Sequence, residues 1–74
     1  MYFQPHKILY IDDNQALLDQ VSDYLQMEGF VVRSCQIAQD FKALLEEFSP
    51  DVVLIDRHLY DENGYELVDY VRNT

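Results

Sequence analysis

Three aspartates of this chain each follow a short apolar run, and their side chains have the type and spacing that suggest chemistry. Asp12 and Asp13 come after the apolar residues 8–11, and Asp56 comes after the apolar residues 52–55. Two unit charges about 5 Å apart repel by roughly 3 kcal/mol at an effective dielectric near 20, so carboxylates sharing a pocket need a cation or a proton. Oxygen-only ligation with room for water favours Mg²⁺ over Zn²⁺, which prefers nitrogen and sulfur.

A carboxylate beside such a cation can act as a nucleophile toward a phosphoryl group, because positioning and charge neutralisation supply most of the catalysis in phosphoryl transfer. Asp56 is the candidate nucleophile. A helix that starts near Asn14 would direct partial positive charge toward the same pocket and favour an incoming anion. The alternative is structural, because acidic residues at strand ends also form turns and cap helices.

The elements that must position these aspartates alternate along the chain. Apolar runs predict buried strands, and apolar residues at three- and four-residue spacing predict amphipathic helices. Asn14 suits the first helix cap, Gly29 suits a left-handed stop, and Pro50 pushes Ser49 out of the helical region. The predicted strands are residues 7–12, 30–35 and 51–56, and the predicted helices are residues 14–28, 37–48 and 64–72.

This βαβαβα order predicts an α/β fold with right-handed crossovers, a parallel three-stranded sheet and helices on both of its faces. Ligands bind to such sheets at the carboxyl ends of the strands. Asp12, Asp13 and Asp56 all stand at these ends, and strands one and three lie on either side of the first crossover. We therefore expect the three carboxylates to meet.

Composition limits the remaining classes of function. The 74 residues suit one small domain, and five Lys and Arg against fourteen Asp and Glu leave a formal charge of −9, which disfavours direct binding to nucleic acid. The apolar runs are too short to span a membrane, for which about 20 residues are needed. Cys35 is the single cysteine, so we expect no internal disulfide, and with no secretory signal we expect a cytoplasmic location.

Three segments of the sequence carry a resemblance to a known family: residues 7–14 (KILYIDDN), 49–56 (SPDVVLID) and 63–67 (NGYEL). Over nearly its whole length the chain resembles the receiver domain of bacterial two-component response regulators, which has a flavodoxin-like fold. The resemblance implies the strand order 2-1-3, with Asp56 as the phospho-acceptor. It implies Mg²⁺ at Asp12, Asp13, Asp56 and the backbone carbonyl of His58, with Asp12 acting through water, and a histidine kinase or phosphotransfer protein as partner.

The sequence also departs from the family. Receivers usually have proline four residues after the acceptor, where this chain has Tyr60, and a complete receiver has two more strands that supply a Ser or Thr and a lysine. Lys7 and Lys42 do not stand at carboxyl ends of strands and cannot replace that lysine. We expect a truncated fold, the N-terminal part of a receiver. We also expect strand three to be an open apolar edge that promotes a homodimer or other self-association.

Two other functions fit parts of the pattern. A half-receiver could bind metal or a partner chain as an interaction or dimerisation module without phosphotransfer. Because the lysine and the Ser or Thr of a complete receiver are absent, we expect a self-phosphorylating acceptor at most and not an enzyme. An aspartate-nucleophile phosphatase of the haloacid-dehalogenase type is a minor alternative, because that family has a second aspartate two positions after the nucleophile and this chain does not. The corresponding positions here are Asn14 and His58.

Overall fold

The computed structural model describes residues 6–56 and 65–73, which form three strands and three helices. Each element begins and ends within one residue of the predicted bounds wherever those bounds fall on described residues. The predicted start of the last helix, Gly64, lies outside the described residues. The elements are β1 (Lys7–Ile11), α1 (Gln15–Met27), β2 (Val31–Cys35), α2 (Ala38–Phe48), β3 (Val52–Ile55) and α3 (Tyr65–Arg72).

The three strands form one parallel sheet in the order β2-β1-β3, which confirms the predicted α/β fold. β1 lies in the centre, and its residue Leu9 pairs in register with Arg33 of β2 and Val53 of β3. Parallel strands with helical crossovers bring all their carboxyl ends to one edge of the sheet. This arrangement positions the aspartates that follow β1 and β3.

One face of the sheet carries the main hydrophobic core. Leu9 and Ile11 of β1 are fully buried there with Phe41 of α2, and Leu67 of α3 is 1% exposed. Burying one such side chain stabilises the fold by about 1.5–3 kcal/mol. The apolar side chains of α2, spaced three and four residues apart, therefore face this core. The partly buried residues that pack against it are Ala38, Leu44, Leu45, Phe48, Val53, Ile55 and Val71.

The other face of the sheet carries Ile8 and Tyr10, which are 5% and 7% exposed. Side chains alternate along a strand, so Val52 and Leu54, their partners in register, belong to this face. α1 buries Leu18, whereas the preceding residue, Leu17, is 42% exposed. Leu17 occupies the first turn of α1, where its backbone N–H bonds to the cap while its side chain projects into solvent.

The ends of the helices follow the local sequence. The Asn14 side chain accepts a hydrogen bond from the backbone N–H of Leu17 at 3.1 Å, as predicted for an N-cap. Gly29 has a φ of +99°, which suits the predicted stop. Ser49 also ends its helix, but with a left-handed φ of 51° rather than the extended backbone that a following proline favours.

Candidate functional site

The carboxyl ends of β1 and β3 lie side by side. Ile11 and Ile55, the last residues of these strands, pair in register. The ladder continues beyond them, because the backbone N–H of Asp56 donates to the carbonyl of Ile11 at 3.0 Å and that of Asp12 donates to Cys35 at 3.2 Å. The backbones of both aspartates are therefore fixed by the sheet.

The structure brings the three predicted aspartates together. One carboxylate oxygen each from Asp12, Asp13 and Asp56 lie within 4.8 Å of one another. Asp12 is 2% exposed, Asp56 is half-buried and Asp13 is exposed. We call these three residues the carboxylate cluster. It is closed on the side of the sheet and open to solvent at Asp13.

Asp12 is held by two hydrogen bonds. Its Oδ2 accepts from the hydroxyl of Tyr10 at 2.7 Å, and its Oδ1 accepts from the backbone N–H of Asn14 at 2.9 Å. Burial, followed by the hydrogen bond to Asp12 and the negative charges of Asp12 and Asp56, raises the pKa of Tyr10 above its usual range. The Tyr10 hydroxyl therefore stays protonated at neutral pH and donates to Asp12.

Tyr10 is a buried residue of this site that the sequence analysis missed. A signal for it existed, because side chains two apart on a strand share a face. Tyr10 and Asp12 have this spacing, and a buried tyrosine hydroxyl needs a hydrogen-bond partner. The nearest polar side chain on that face of β1 is the carboxylate of Asp12.

The first turn of α1 adjoins the carboxylate cluster. Asn14 both caps α1 and donates its backbone N–H to Asp12, so the helix begins directly beside the cluster. The N-terminal end of a helix carries partial positive charge, which favours anions nearby. Gln36, which follows β2, donates its side-chain amide to the carbonyl of Asp13 at 3.2 Å and restrains that residue from the other side.

The donor set of the carboxylate cluster fits a hard divalent cation. All three groups offer oxygen, the ligand type that Mg²⁺ and Ca²⁺ prefer. Two oxygens bound to one Mg²⁺ at about 2.1 Å can be no more than about 4.2 Å apart. Oxygens up to 4.8 Å apart therefore fit Mg²⁺ after a small contraction, or with one carboxylate bound through a water molecule.

Some predicted participants are outside the described residues, namely His58, whose backbone carbonyl completes the predicted ligand set, and Tyr60. The two lysines lie away from the cluster. Lys7 begins β1, at the opposite end of the sheet, and donates its Nζ to the carbonyl of Phe48 at 3.2 Å. The Nζ of Lys42 lies 5.1 Å from the centre of the Tyr70 ring.

Comparison with known proteins identifies the family of this chain. The family model described as response regulator receiver domain matches residues 8–74. The chain belongs to the receiver domain family. This confirms the predicted resemblance to response regulator receiver domains, a family whose members interact with histidine kinases or phosphotransfer proteins.

Individual relatives of this receiver chain are transcriptional and other regulatory proteins. It is 35% identical over 66 residues to the transcriptional regulatory protein GltR of Pseudomonas aeruginosa, an alignment covering 89% of the chain and 27% of GltR. It is 32% identical over 68 residues to the regulatory protein VanRc of Enterococcus gallinarum, covering 92% of the chain and 29% of VanRc. The transcriptional regulatory protein TrcR of Mycobacterium tuberculosis is 33% identical over 70 residues, covering 95% of the chain and 27% of TrcR.

The receiver chain spans less than a third of the length of these three relatives. No solved structure gives a significant match to it. Among the helices of the described residues, none has the length and apolar character needed to cross a lipid bilayer.

Proposed function

We propose that this chain is a phospho-accepting receiver module, in which Asp56 takes a phosphoryl group from a phosphohistidine of a histidine kinase or phosphotransfer protein. Mg²⁺ would be held by Asp12, Asp13, Asp56 and the backbone carbonyl of His58, and the proposed location is the cytoplasm. The observation that carries the proposal is the approach of three carboxylate oxygens to within 4.8 Å at the carboxyl ends of β1 and β3.

The proposed reaction is a direct transfer between two side chains. An oxygen of the Asp56 carboxylate attacks phosphorus, an O–P bond forms, and the P–N bond to the donor histidine breaks. The electron pair of that bond returns to the imidazole nitrogen, which takes up a proton. The product on this chain is an acyl phosphate. Bound Mg²⁺ would neutralise the negative charge that develops on the phosphoryl oxygens.

The residues around Asp56 support this role. Its backbone is fixed by the hydrogen bond to Ile11, so the half-buried carboxylate is held at the sheet edge. Asp13 is exposed beside it, which leaves an approach for a donor side chain. The first turn of α1 adds partial positive charge on the same side. The chain's charge of −9 favours a protein partner over nucleic acid.

A small-molecule phosphodonor tests the proposal. Incubation with acetyl phosphate and Mg²⁺ should add one phosphoryl group, which peptide mass spectrometry should locate on Asp56. Chelation of Mg²⁺ with EDTA should prevent the modification, and beryllofluoride with Mg²⁺ should bind as a phosphoryl mimic. A chain that stays unmodified, or one that is modified at another carboxylate, would contradict the proposal.

Self-association is a second proposed property, supported by the outer part of the sheet. Within the described residues β3 pairs with β1 on one side, and Val52 and Leu54 are 44% and 36% exposed. We propose that a second copy of the chain covers this strand, because an apolar sheet edge is a ready template for pairing. As an interaction module, the chain would do this without any phosphotransfer.

Sedimentation tests the self-association with a matched pair of variants. Val52→Lys should shift the chain toward monomer at micromolar concentration. Val31→Lys introduces the same charge at a valine of nearly equal exposure, 42%, at the start of β2, and should leave the association unchanged. A wild-type chain that sediments as a monomer would exclude the dimer.

A further inference from the structure

The hydroxyl of Tyr10 is a buried polar group whose hydrogen bond is directed at the carboxylate cluster. Tyr10 is 7% exposed, and its hydroxyl donates to Oδ2 of Asp12 over 2.7 Å in a buried contact. The distance is in the range of a charge-assisted O–H···O bond. Chemistry at Asp56 does not need a phenol at this position, so this hydrogen bond calls for its own explanation.

The two hydrogen bonds of Asp12 fix both of its oxygens. Tyr10 occupies one site on Oδ2 and the Asn14 backbone occupies one site on Oδ1, so the carboxylate can neither rotate about its bond to Cβ nor turn away without losing a partner. A free carboxylate at this place would move away from Asp13 and Asp56, since like charges repel across the cluster. The phenol opposes that movement.

Each Asp12 oxygen still has an unused lone-pair site, because an ionised carboxylate can accept about four hydrogen bonds. Those remaining sites can accept from an ion-bound water or bind the ion itself while both hydrogen bonds of Asp12 stay in place. We propose that Tyr10 is a positioning residue for the cation site: its hydrogen bond keeps the Asp12 carboxylate in the carboxylate cluster, beside Asp13 and Asp56. This inference rests on the proposed function.

The first measurement is Mg²⁺ affinity, read from the amide NMR resonances of Asp13 and Asp56. Loss of a group that orients a ligand typically weakens metal binding by roughly 10- to 100-fold. Tyr10→Phe removes only the hydroxyl, so we expect Mg²⁺ binding at least tenfold weaker. Tyr24→Phe makes the same chemical change at a 62% exposed side chain of α1 and should bind Mg²⁺ as the wild type does.

A second readout reports the role of Tyr10 rather than general loosening of the fold. In the wild-type chain, Mg²⁺ should shift the ring Cζ resonance of Tyr10 while that of Tyr24 stays in place. This wild-type measurement does not depend on any variant folding.

The outcomes separate this inference from the proposed function. If the wild type binds Mg²⁺ and Tyr10→Phe binds it within twofold, or if the Tyr10 resonance does not respond to Mg²⁺, the positioning role is overturned and the cation site stands. If the wild type binds no Mg²⁺, the proposed function fails and the role of Tyr10 fails with it. Weaker binding in Tyr10→Phe, together with a Tyr10 ring resonance that responds to Mg²⁺ in the wild type, supports the inference.

Discussion

The two ends of the sheet differ in the arrangement of their charged groups. At the carboxyl end, Asp12, Asp13 and Asp56 place three like charges within 4.8 Å. At the amino end, a single carboxylate has polar partners: Asp51 accepts from the Lys7 backbone N–H at 2.9 Å, and the Nδ1 of His6 lies 3.8 Å from the same oxygen. Both ends contain aspartate at a strand terminus, so aspartate alone does not indicate a functional site.

The amino end also places cations over an aromatic ring. Lys7 and Arg33 lie 5.6 and 5.5 Å from the centre of the Phe48 ring. Such contacts at exposed sites stabilise a fold by about 0.5–1 kcal/mol each. The amino end therefore satisfies its charges within the fold, whereas the carboxyl end concentrates charge that a bound cation would neutralise. A concentration of like charge that costs stability is the better guide to function.

The largest expected effect is a difference in phosphorylation between variants of an aspartate at the carboxyl end and one at the amino end. Asp56→Asn should abolish phosphorylation by a phosphohistidine donor, because the amide that replaces the carboxylate is not a nucleophile toward phosphorus. Asp51→Asn makes the same change at the amino end and should be phosphorylated at the wild-type level, as measured by intact-protein mass spectrometry. Equal phosphorylation of both variants would mean that the acceptor is another residue.

The next effect concerns the gain in stability from Mg²⁺. A ligand at 100 times its Kd stabilises the folded chain by about 2.7 kcal/mol, which thermal unfolding detects as a higher Tm. Asp13→Asn should lose most of this gain and should be more stable than the wild type without Mg²⁺ by up to ~1 kcal/mol, because it relieves repulsion at an exposed site. Asp23→Asn, an exposed change on α1, should keep the full response to Mg²⁺. An unchanged Mg²⁺ response in Asp13→Asn would contradict this account of the carboxyl end.

Alkaline pH should lower the stability of the fold through Cys35, at the carboxyl end of β2. Burial, with a smaller contribution from the charge of Asp40, raises the pKa of the Cys35 thiol from 9.0 to about 11. The folded chain thus holds this proton more tightly than the unfolded chain does. The stability that the protonated Cys35 thiol contributes is complete below pH 9. The free energy of unfolding should fall by roughly 2–3 kcal/mol as the pH rises toward 11.

Denaturant unfolding of the wild type and Cys35→Ala across that range isolates the thiol. The variant should be less stable at pH 8 because a buried side chain is truncated, but its stability should fall less steeply between pH 9 and 11. Parallel pH dependences for the two proteins would show that the thiol does not titrate as a buried group.

The smallest expected effect is at the amino end. Lys7→Ala removes the hydrogen bond to the Phe48 carbonyl and one cation over its ring, and should lower the free energy of unfolding by about 0.5–1 kcal/mol. Mg²⁺ affinity and phosphorylation should not change, because Lys7 lies at the opposite end of β1. A loss of Mg²⁺ binding in this variant would break the distinction between the two ends.

The sequence was sufficient for the backbone and for the meeting of the aspartates. Apolar runs that stop at Asp12 and Asp56 define strand ends, and the rules of parallel sheets bring those ends together. The sequence was insufficient where side-chain conformation determines the contacts or the exposure of a residue. The hydrogen bond from Tyr10 to Asp12 depends on the rotamers of both side chains on a buried face of the sheet. The exposure of Leu17 depends on how the first turn of α1 packs against the sheet.

The most direct test of the central claim is a titration with Mn²⁺ followed by paramagnetic broadening of amide NMR signals. If the ends of β1 and β3 form one cation site, substoichiometric Mn²⁺ should broaden the amides of Asp13 and Asp56 first. Those of Lys7 and Asp51, at the other end of the sheet, should stay sharp. Broadening spread over the exposed acidic side chains of α1 and α2, with no preference for the carboxylate cluster, would contradict the account.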